Sequence, residues 1–222
     1  MQLSCVLFDL DGTLVDTAPD LMHCLNMALG QHGFAEVSPL AIKPFISFGS
    51  RAMIAASLSE SVDSRTEEAL LATMLDCYER HIADHSVFFA GIEDILNRIE
   101  AQGLKWGVVT NKRKRFTNPL MAALNLTDRA SCIVSGDTTG YEKPHPQPML
   151  AACKQACVEP EQCVYIGDAS HDIAAGKNAN MKTLAARYGY LKPGDRPETW
   201  GADAVIKSPA QIIDWIGAQK CR

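Results

Sequence analysis

The chain has little of what marks a protein for an extracellular, membrane or nucleic-acid setting. Eight cysteines stand at 5, 24, 77, 132, 153, 157, 163 and 221, yet none forms a Cys-x-x-Cys pair or has a histidine at zinc-ligand spacing. Most lie in apolar runs such as Cys132-Ile133-Val134 and Cys163-Val164-Tyr165, so they read as reduced thiols packed like small hydrophobes. Cys153 and Cys157 fall on one predicted helix face. No charged stretch followed by an apolar core and a cleavage site opens the sequence, and no apolar run approaches a membrane span. The expectation is a cytoplasmic protein with no membrane partner. With a net charge of −5 and a pI near 5.7 there is no basic surface to draw nucleic acid. Gly-x-Gly-x-x-Gly and Gly-x-x-x-x-Gly-Lys are both missing, which removes the usual dinucleotide and nucleoside-triphosphate loops. Internal repeats and low-complexity linkers are missing too.

What remains is an ordinary globular composition, 47% apolar and 21% charged over 222 residues. That length suits one large domain or two modest ones. Its most informative stretch comes first. Val6-Leu7-Phe8 reads as a buried strand that ends in Asp9-Leu10-Asp11-Gly12-Thr13. Gly12 allows the chain to turn or loop out at once, which puts one carboxylate on the strand end and another on the loop. Two carboxylates that close repel, and one keeps its proton unless positive charge intervenes. A divalent cation and a lysine would supply it.

Thr17-Ala18-Pro19-Asp20 reads as a helix start, with proline early and an acid in the first turn. From there to residue 85 the pattern is helical throughout. Ser64-Arg65-Thr66-Glu67 matches a capping box ahead of the Leu70–Ile82 helix. The pattern then alternates. Strands are expected near 104–109, 132–135, 163–166, 183–186 and 204–206, with helices between them. The fold class predicted is α/β, a Rossmann-like parallel sheet with helices on both faces plus an inserted all-helical domain. The division expected is a core of 1–15 and 86–222 and a helical cap of 16–85.

In such a sheet ligands bind at the carboxyl ends of the strands. Those ends carry Asp9 and Asp11, then Thr110 and Asn111, then Asp168 and Asp172, while Lys143 arrives on the loop Glu142-Lys143-Pro144-His145-Pro146. An acid pair, a hydroxyl, a lysine and a second acid pair thus converge on one edge.

These segments resemble the four motifs of the haloacid dehalogenase superfamily, in its phosphatase branch with a helical cap after the first motif. The resemblance runs the length of the chain. Within that branch the chain resembles the phosphoglycolate phosphatases, and its Trp106–Lys112 strand, Arg187–Tyr190 and Trp200–Asp203 look closer still to the N-acetylmuramic acid 6-phosphate phosphatases. It implies that Asp9 is the nucleophile forming an aspartyl-phosphate and that Asp11 is the acid and base, with Thr110 and Lys143 completing the catalytic set. Mg²⁺ would be held by Asp9, Asp168 and Asp172 and by the backbone carbonyl of Asp11. Gly12, Thr13 and Asn111 are substrate-side candidates. Arg51, on a loop facing the site, could grip a substrate carboxylate in a two-pronged contact. The implied substrate is a small anionic phosphorylated metabolite of the phosphoglycolate or N-acetylmuramic acid 6-phosphate type, and the implied state is a monomer or small homo-oligomer. A β-phosphoglucomutase-like mutase uses the same core residues and stays open as an alternative, as does a non-catalytic phosphate-binding relative. Lys112 and Arg113 open a cationic run at a predicted helix start, where they oppose the helix dipole and could attract an anion.

Overall fold

The computed structural model describes residues 3–220, so Cys221 lies outside the described residues. Strand β1 (Cys5–Phe8) is the centre of a six-stranded parallel sheet whose other members are β4 (Lys105–Val109), β5 (Cys132–Val134), β6 (Cys163–Gly167), β7 (Lys182–Ala186) and β8 (Ala204–Ile206). Their order across the sheet is β5-β4-β1-β6-β7-β8. All four residues of β1 are fully buried, as expected for a strand covered on both faces. Side chains two apart share a face. Val6 and Phe8 join Trp106, Val108, Val164 and Ile166 on one side of the sheet, and Cys5 and Leu7 join Val109, Cys163 and Tyr165 on the other. Burying a side chain the size of Phe8 contributes about 1.5–3 kcal/mol.

Helices α5 (Ile92–Ala101), α6 (Lys114–Ala123), α7 (Gln147–Ala156), α8 (Ser170–Asn178) and α9 (Ala210–Lys220) follow the strands. The α/β class and the expected strands are all observed. Between β1 and β4 the chain forms α1 (Ala18–Gln31), α2 (Pro39–Ile42), a 3₁₀ segment (Lys43–Phe48), α3 (Ser50–Ser57) and α4 (Ser64–Arg80). These helices build their own cluster around Leu25, Leu29, Met53, Ile54, Leu70 and Met74, which meets the sheet layer through Phe116 and Tyr190.

Some local details differ from the sequence reading. The N-cap of α4 is Asp63, whose carboxylate accepts from the Thr66 N–H at 2.8 Å, so the helix starts one residue after an aspartate and the Ser64 capping box does not form. A two-stranded antiparallel ribbon, β2 (Val15–Asp16) with β3 (Val87–Phe88), ties together the segments entering and leaving the helical block. Two residues per strand are too few to show an alternating pattern. Beside the ribbon, the buried Asp20 carboxylate accepts from the His85 N–H (2.9 Å), the Ser86 N–H (2.8 Å) and the Ser86 hydroxyl (2.6 Å). The acid of the first helical turn thus cross-links the two ends of the block. Cys153 pairs with Cys163, Sγ to Sγ 3.7 Å, whereas Cys157 is exposed in a left-handed turn after α7.

Candidate active site

The carboxyl ends of β1, β4 and β6 lie side by side, and the residues that follow them meet. Asp9 follows β1, Thr110 follows β4, and Asp168 follows β6, with Asp172 in the first turn of α8. All four are buried. Lys143 comes up beneath them from the loop before α7. Its Nζ lies 2.8 Å from Asp9 Oδ1 and 2.7 Å from Asp172 Oδ1, and it donates to the Tyr165 hydroxyl at 2.9 Å and to the Val109 carbonyl at 3.3 Å. Burial alone would lower the Lys143 pKa. The carboxylates of Asp172 and Asp9 outweigh it and keep the ammonium charged.

Asp9 is under the opposite pressure. Burial raises its pKa to about 7 even though Lys143 pulls it down, with Asp172 adding repulsion. Its Oδ1 lies 2.8 Å from the ammonium as a buried ion pair. Burial, then Asp172 and Asp9, raise Asp168 well above the usual carboxylate range. Asp172 is the exception. The cost of its burial is overcome by Lys143 and by the Ala169 N–H, so it stays low and ionised.

Oxygens of Asp9, Asp168 and Asp172 lie within 4.8 Å of one another, the one such group of metal-capable side chains among the described residues. Three clustered carboxylates with one ammonium would carry excess negative charge once ionised, and an all-oxygen donor set suits a hard divalent cation. The residues present fit the group. The Asp11 carboxylate stands apart from this cluster. It accepts from the Thr17 hydroxyl at 2.6 Å and from Lys112 Nζ at 2.9 and 3.1 Å.

The other expected residues are placed as follows. Thr110 accepts the Lys112 N–H at its Oγ1 (3.2 Å), which leaves its own proton to give. The Asn111 amide brackets the Lys143 backbone, accepting its N–H at 2.9 Å and donating to its carbonyl at 3.2 Å, and so holds the lysine loop in position. The Gly12 N–H donates within the loop to Val15 O. What the glycine supplies is space, since at φ +84° a Cβ would sit 2.3 Å from Asp168 Oδ2. Gly189 does the same from the other side, where a Cβ would lie 2.3 Å from the Asp168 Cβ. The Thr13 hydroxyl donates to Asp168 Oδ1 at 3.3 Å. Arg51 is engaged by Glu67 (3.2 Å) and Glu68 (2.6 Å) of α4.

Above these groups is a cavity of about 750 Å³. Its floor is Asp9, Asp11, Thr110 and Lys143. Its walls come from the helical block (Ile46, Ser47, Phe48, Met53, Leu71, Leu75, Tyr78, Arg51) and from Arg113, Arg115 and Phe116 at the start of α6.

Four side chains of the site escaped the sequence reading. Tyr165 reads as core because it sits in an apolar strand, yet its hydroxyl accepts from Lys143 and donates to Val109 O at 2.8 Å. Tyr190 gives its N–H to Asp168 Oδ2 (2.7 Å) and its hydroxyl to Asp16 Oδ1 (2.6 Å). Ser47 gives its hydroxyl to Asp168 Oδ2 at 3.0 Å, and Thr17 holds Asp11. Tyr190 lay in a segment carrying family resemblance, Ser47 in the loop expected to face the site and Thr17 just before the cap, but none of the three showed which group it would hold.

A family model described as haloacid dehalogenase-like hydrolase matches residues 6–186. The chain belongs to the haloacid dehalogenase-like hydrolases. Among similar proteins, an N-acetylmuramic acid 6-phosphate phosphatase of Pseudomonas aeruginosa is 42% identical over 221 residues, covering 100% of this chain and 98% of that one. A phosphoglycolate phosphatase of Xanthomonas campestris is 38% identical over 93% of each chain. Within the family, then, this protein is a phosphatase. A crystal structure described as a predicted phosphoglycolate phosphatase from Haemophilus somnus shares the fold, with a TM-score of 0.87 at 24% identity over 97% of this chain and 98% of that one. Among the described residues, no helix is long and apolar enough to cross a membrane.

Proposed function

We propose that the protein hydrolyses the phosphomonoester of a small carboxylate-bearing metabolite through an aspartyl-phosphate on Asp9, with Mg²⁺ bound by Asp9, Asp168 and Asp172. The observation carrying this reading is the state of Asp9. It is a buried carboxylate held against a charged lysine, grouped with two further carboxylates and opening onto the cavity floor. Such a group is poised to attack rather than to hold structure.

Asp9 attacks phosphorus, and the bond from phosphorus to the ester oxygen breaks. Asp11, placed by Thr17 and Lys112, takes up a proton on parting from the Lys112 ammonium and gives it to the departing oxygen. It then takes a proton from water, whose oxygen attacks phosphorus and frees Asp9 and inorganic phosphate. Thr110 donates its hydroxyl proton to a phosphoryl oxygen, and Lys143 balances charge on the same group. Bound Mg²⁺ would supply further positive charge to the phosphoryl oxygens and keep Asp9 ionised.

Residues 16–85 act as a cap. The cavity they roof is of the size that holds a sugar-sized ligand, and Arg113 and Arg115 give it a cationic rim for a carboxylate, while Arg51 on the same wall is held by Glu67 and Glu68. N-acetylmuramic acid 6-phosphate fits that description, and it is the substrate in the name of the relative cited at 42% identity. Phosphoglycolate is the second candidate, from the relative at 38%.

The test is hydrolysis of p-nitrophenyl phosphate with Mg²⁺ or EDTA, followed by a screen of phosphorylated metabolites including both candidates. Absence of metal-dependent turnover would falsify the reading. A requirement for a bisphosphate activator, with phosphate retained on the sugar, would point to a mutase.

A further inference from the structure

Asp168 is the one member of the acidic cluster whose hydrogen bonds come from the helical block and from the loop that anchors it. Its Oδ2 receives the Tyr190 N–H at 2.7 Å and the Ser47 hydroxyl at 3.0 Å, while Oδ1 has only a long contact of 3.3 Å from Thr13. Oδ2 therefore carries the two short bonds, and Oδ1 is the less engaged oxygen. The Tyr190 donor is fixed within the sheet layer by the chain itself. The Ser47 donor is not, because it arrives on the 3₁₀ segment 43–48, 121 residues away in sequence.

The contacts around that segment hold it at the metal-capable cluster. Phe48 meets His171 edge-on with ring centroids 5.8 Å apart. Lys192, on the same loop as Tyr190, places its ammonium 3.2 Å from the centre of the Phe48 ring and 5.3 Å from that of Phe45. A cation over an aromatic face is an attractive contact that forms only when both partners are in place. Ser47 can reach Asp168 only while this segment is docked.

Resting on the proposed Mg²⁺ role of Asp168, we infer that Ser47 is a positioning residue that makes the orientation of this carboxylate depend on closure of the helical block. Metal binding and closure are then linked, and linkage is reciprocal. A ligand that favours the closed block tightens the cation, and the cation favours closure. Inorganic phosphate, which the cavity floor of Thr110 and Lys143 can hold, is a suitable probe.

Isothermal titration of Mg²⁺ into the full-length protein, with and without saturating inorganic phosphate, tests this. Wild type is expected to bind Mg²⁺ several-fold more tightly with phosphate present. Ser47→Ala should weaken Mg²⁺ binding about three- to tenfold and lose most of the phosphate effect, and Ser47→Thr, which keeps the hydroxyl, should restore both. Thermal melting of each metal-free variant checks that folding is intact. If Ser47→Ala matches wild type in affinity and phosphate effect, the inference is overturned while the metal assignment stands. If wild type does not bind Mg²⁺ at all, the assignment itself fails and the inference goes with it.

Discussion

The Lys143 ammonium stands 2.7 Å from Asp172 Oδ1, and both side chains are buried. The same ammonium touches Asp9, so one cation compensates two buried carboxylates. Removing one partner of such a pair costs about 3–5 kcal/mol because the other charge is left uncompensated. Lys143→Met should therefore lower the stability of the metal-free protein by about that amount in urea titration. Its kcat should fall by about 10²–10³, the usual cost of losing one preorganised electrostatic group. A variant as stable as wild type in EDTA would contradict this account.

Asp9→Asn should leave the fold intact, since the amide keeps the shape and removes a charge that burial opposes. The phosphoenzyme trapped by acid quench should vanish. kcat should drop by at least about 10⁴, as when the nucleophile of a covalent mechanism is lost. Retention of phosphoenzyme in the variant would move the nucleophile elsewhere.

The response to pH follows from the signs of the shifts. Asp9 is raised to about 7 and Asp168 is raised too, so the metal-free folded chain holds protons that the unfolded chain releases near pH 4. Asp9 makes the metal-free fold less stable as pH climbs from about 4 through 7, and Asp168 acts in the same direction. Mg²⁺ needs both carboxylates ionised. Its apparent affinity should fall as pH drops below about 7, by up to about tenfold per unit for each proton displaced. The rise in Tm on adding Mg²⁺ should be larger at pH 8 than at pH 6. Equal rises at both values would remove Asp9 from the cation's surroundings.

Asp20→Asn keeps the size of the side chain but turns one acceptor oxygen into a donor facing the Ser86 N–H or the His85 N–H. A buried donor left unmatched costs about 1–3 kcal/mol, which for a chain of this length lowers Tm by roughly 2–12 °C. Calorimetry reads this directly, and an unchanged Tm would mean the carboxylate carries no structural load.

The parallel core was legible because apolar strands and helical crossovers have different periods, and because parallel strands present all their carboxyl ends on one edge. Asp9, Thr110, Lys143 and Asp168 could be brought together by that rule alone. Contacts between layers were not legible. Lys112 stood out as a cation and Tyr190 and Ser47 lay in marked segments, but their partners Asp11 and Asp168 come from distant stretches that only the folded chain brings to them. Tyr165 was hidden by its strand, since an apolar run gives no sign of where one hydroxyl points. Arg51 reads as a free cation until α4 brings Glu67 and Glu68 beside it.

The β2–β3 ribbon carries a consequence for rebuilding the molecule. Paired strands run about 5 Å apart, so the chain leaves the sheet layer and comes back to it at neighbouring points. The intervening helices can in principle be excised as a cassette and Val15 joined to Phe88 by a tight hairpin, with no strand of the main sheet changing its neighbours. A miniature made that way would keep the phosphate end of the machinery while its roof was exchanged for another.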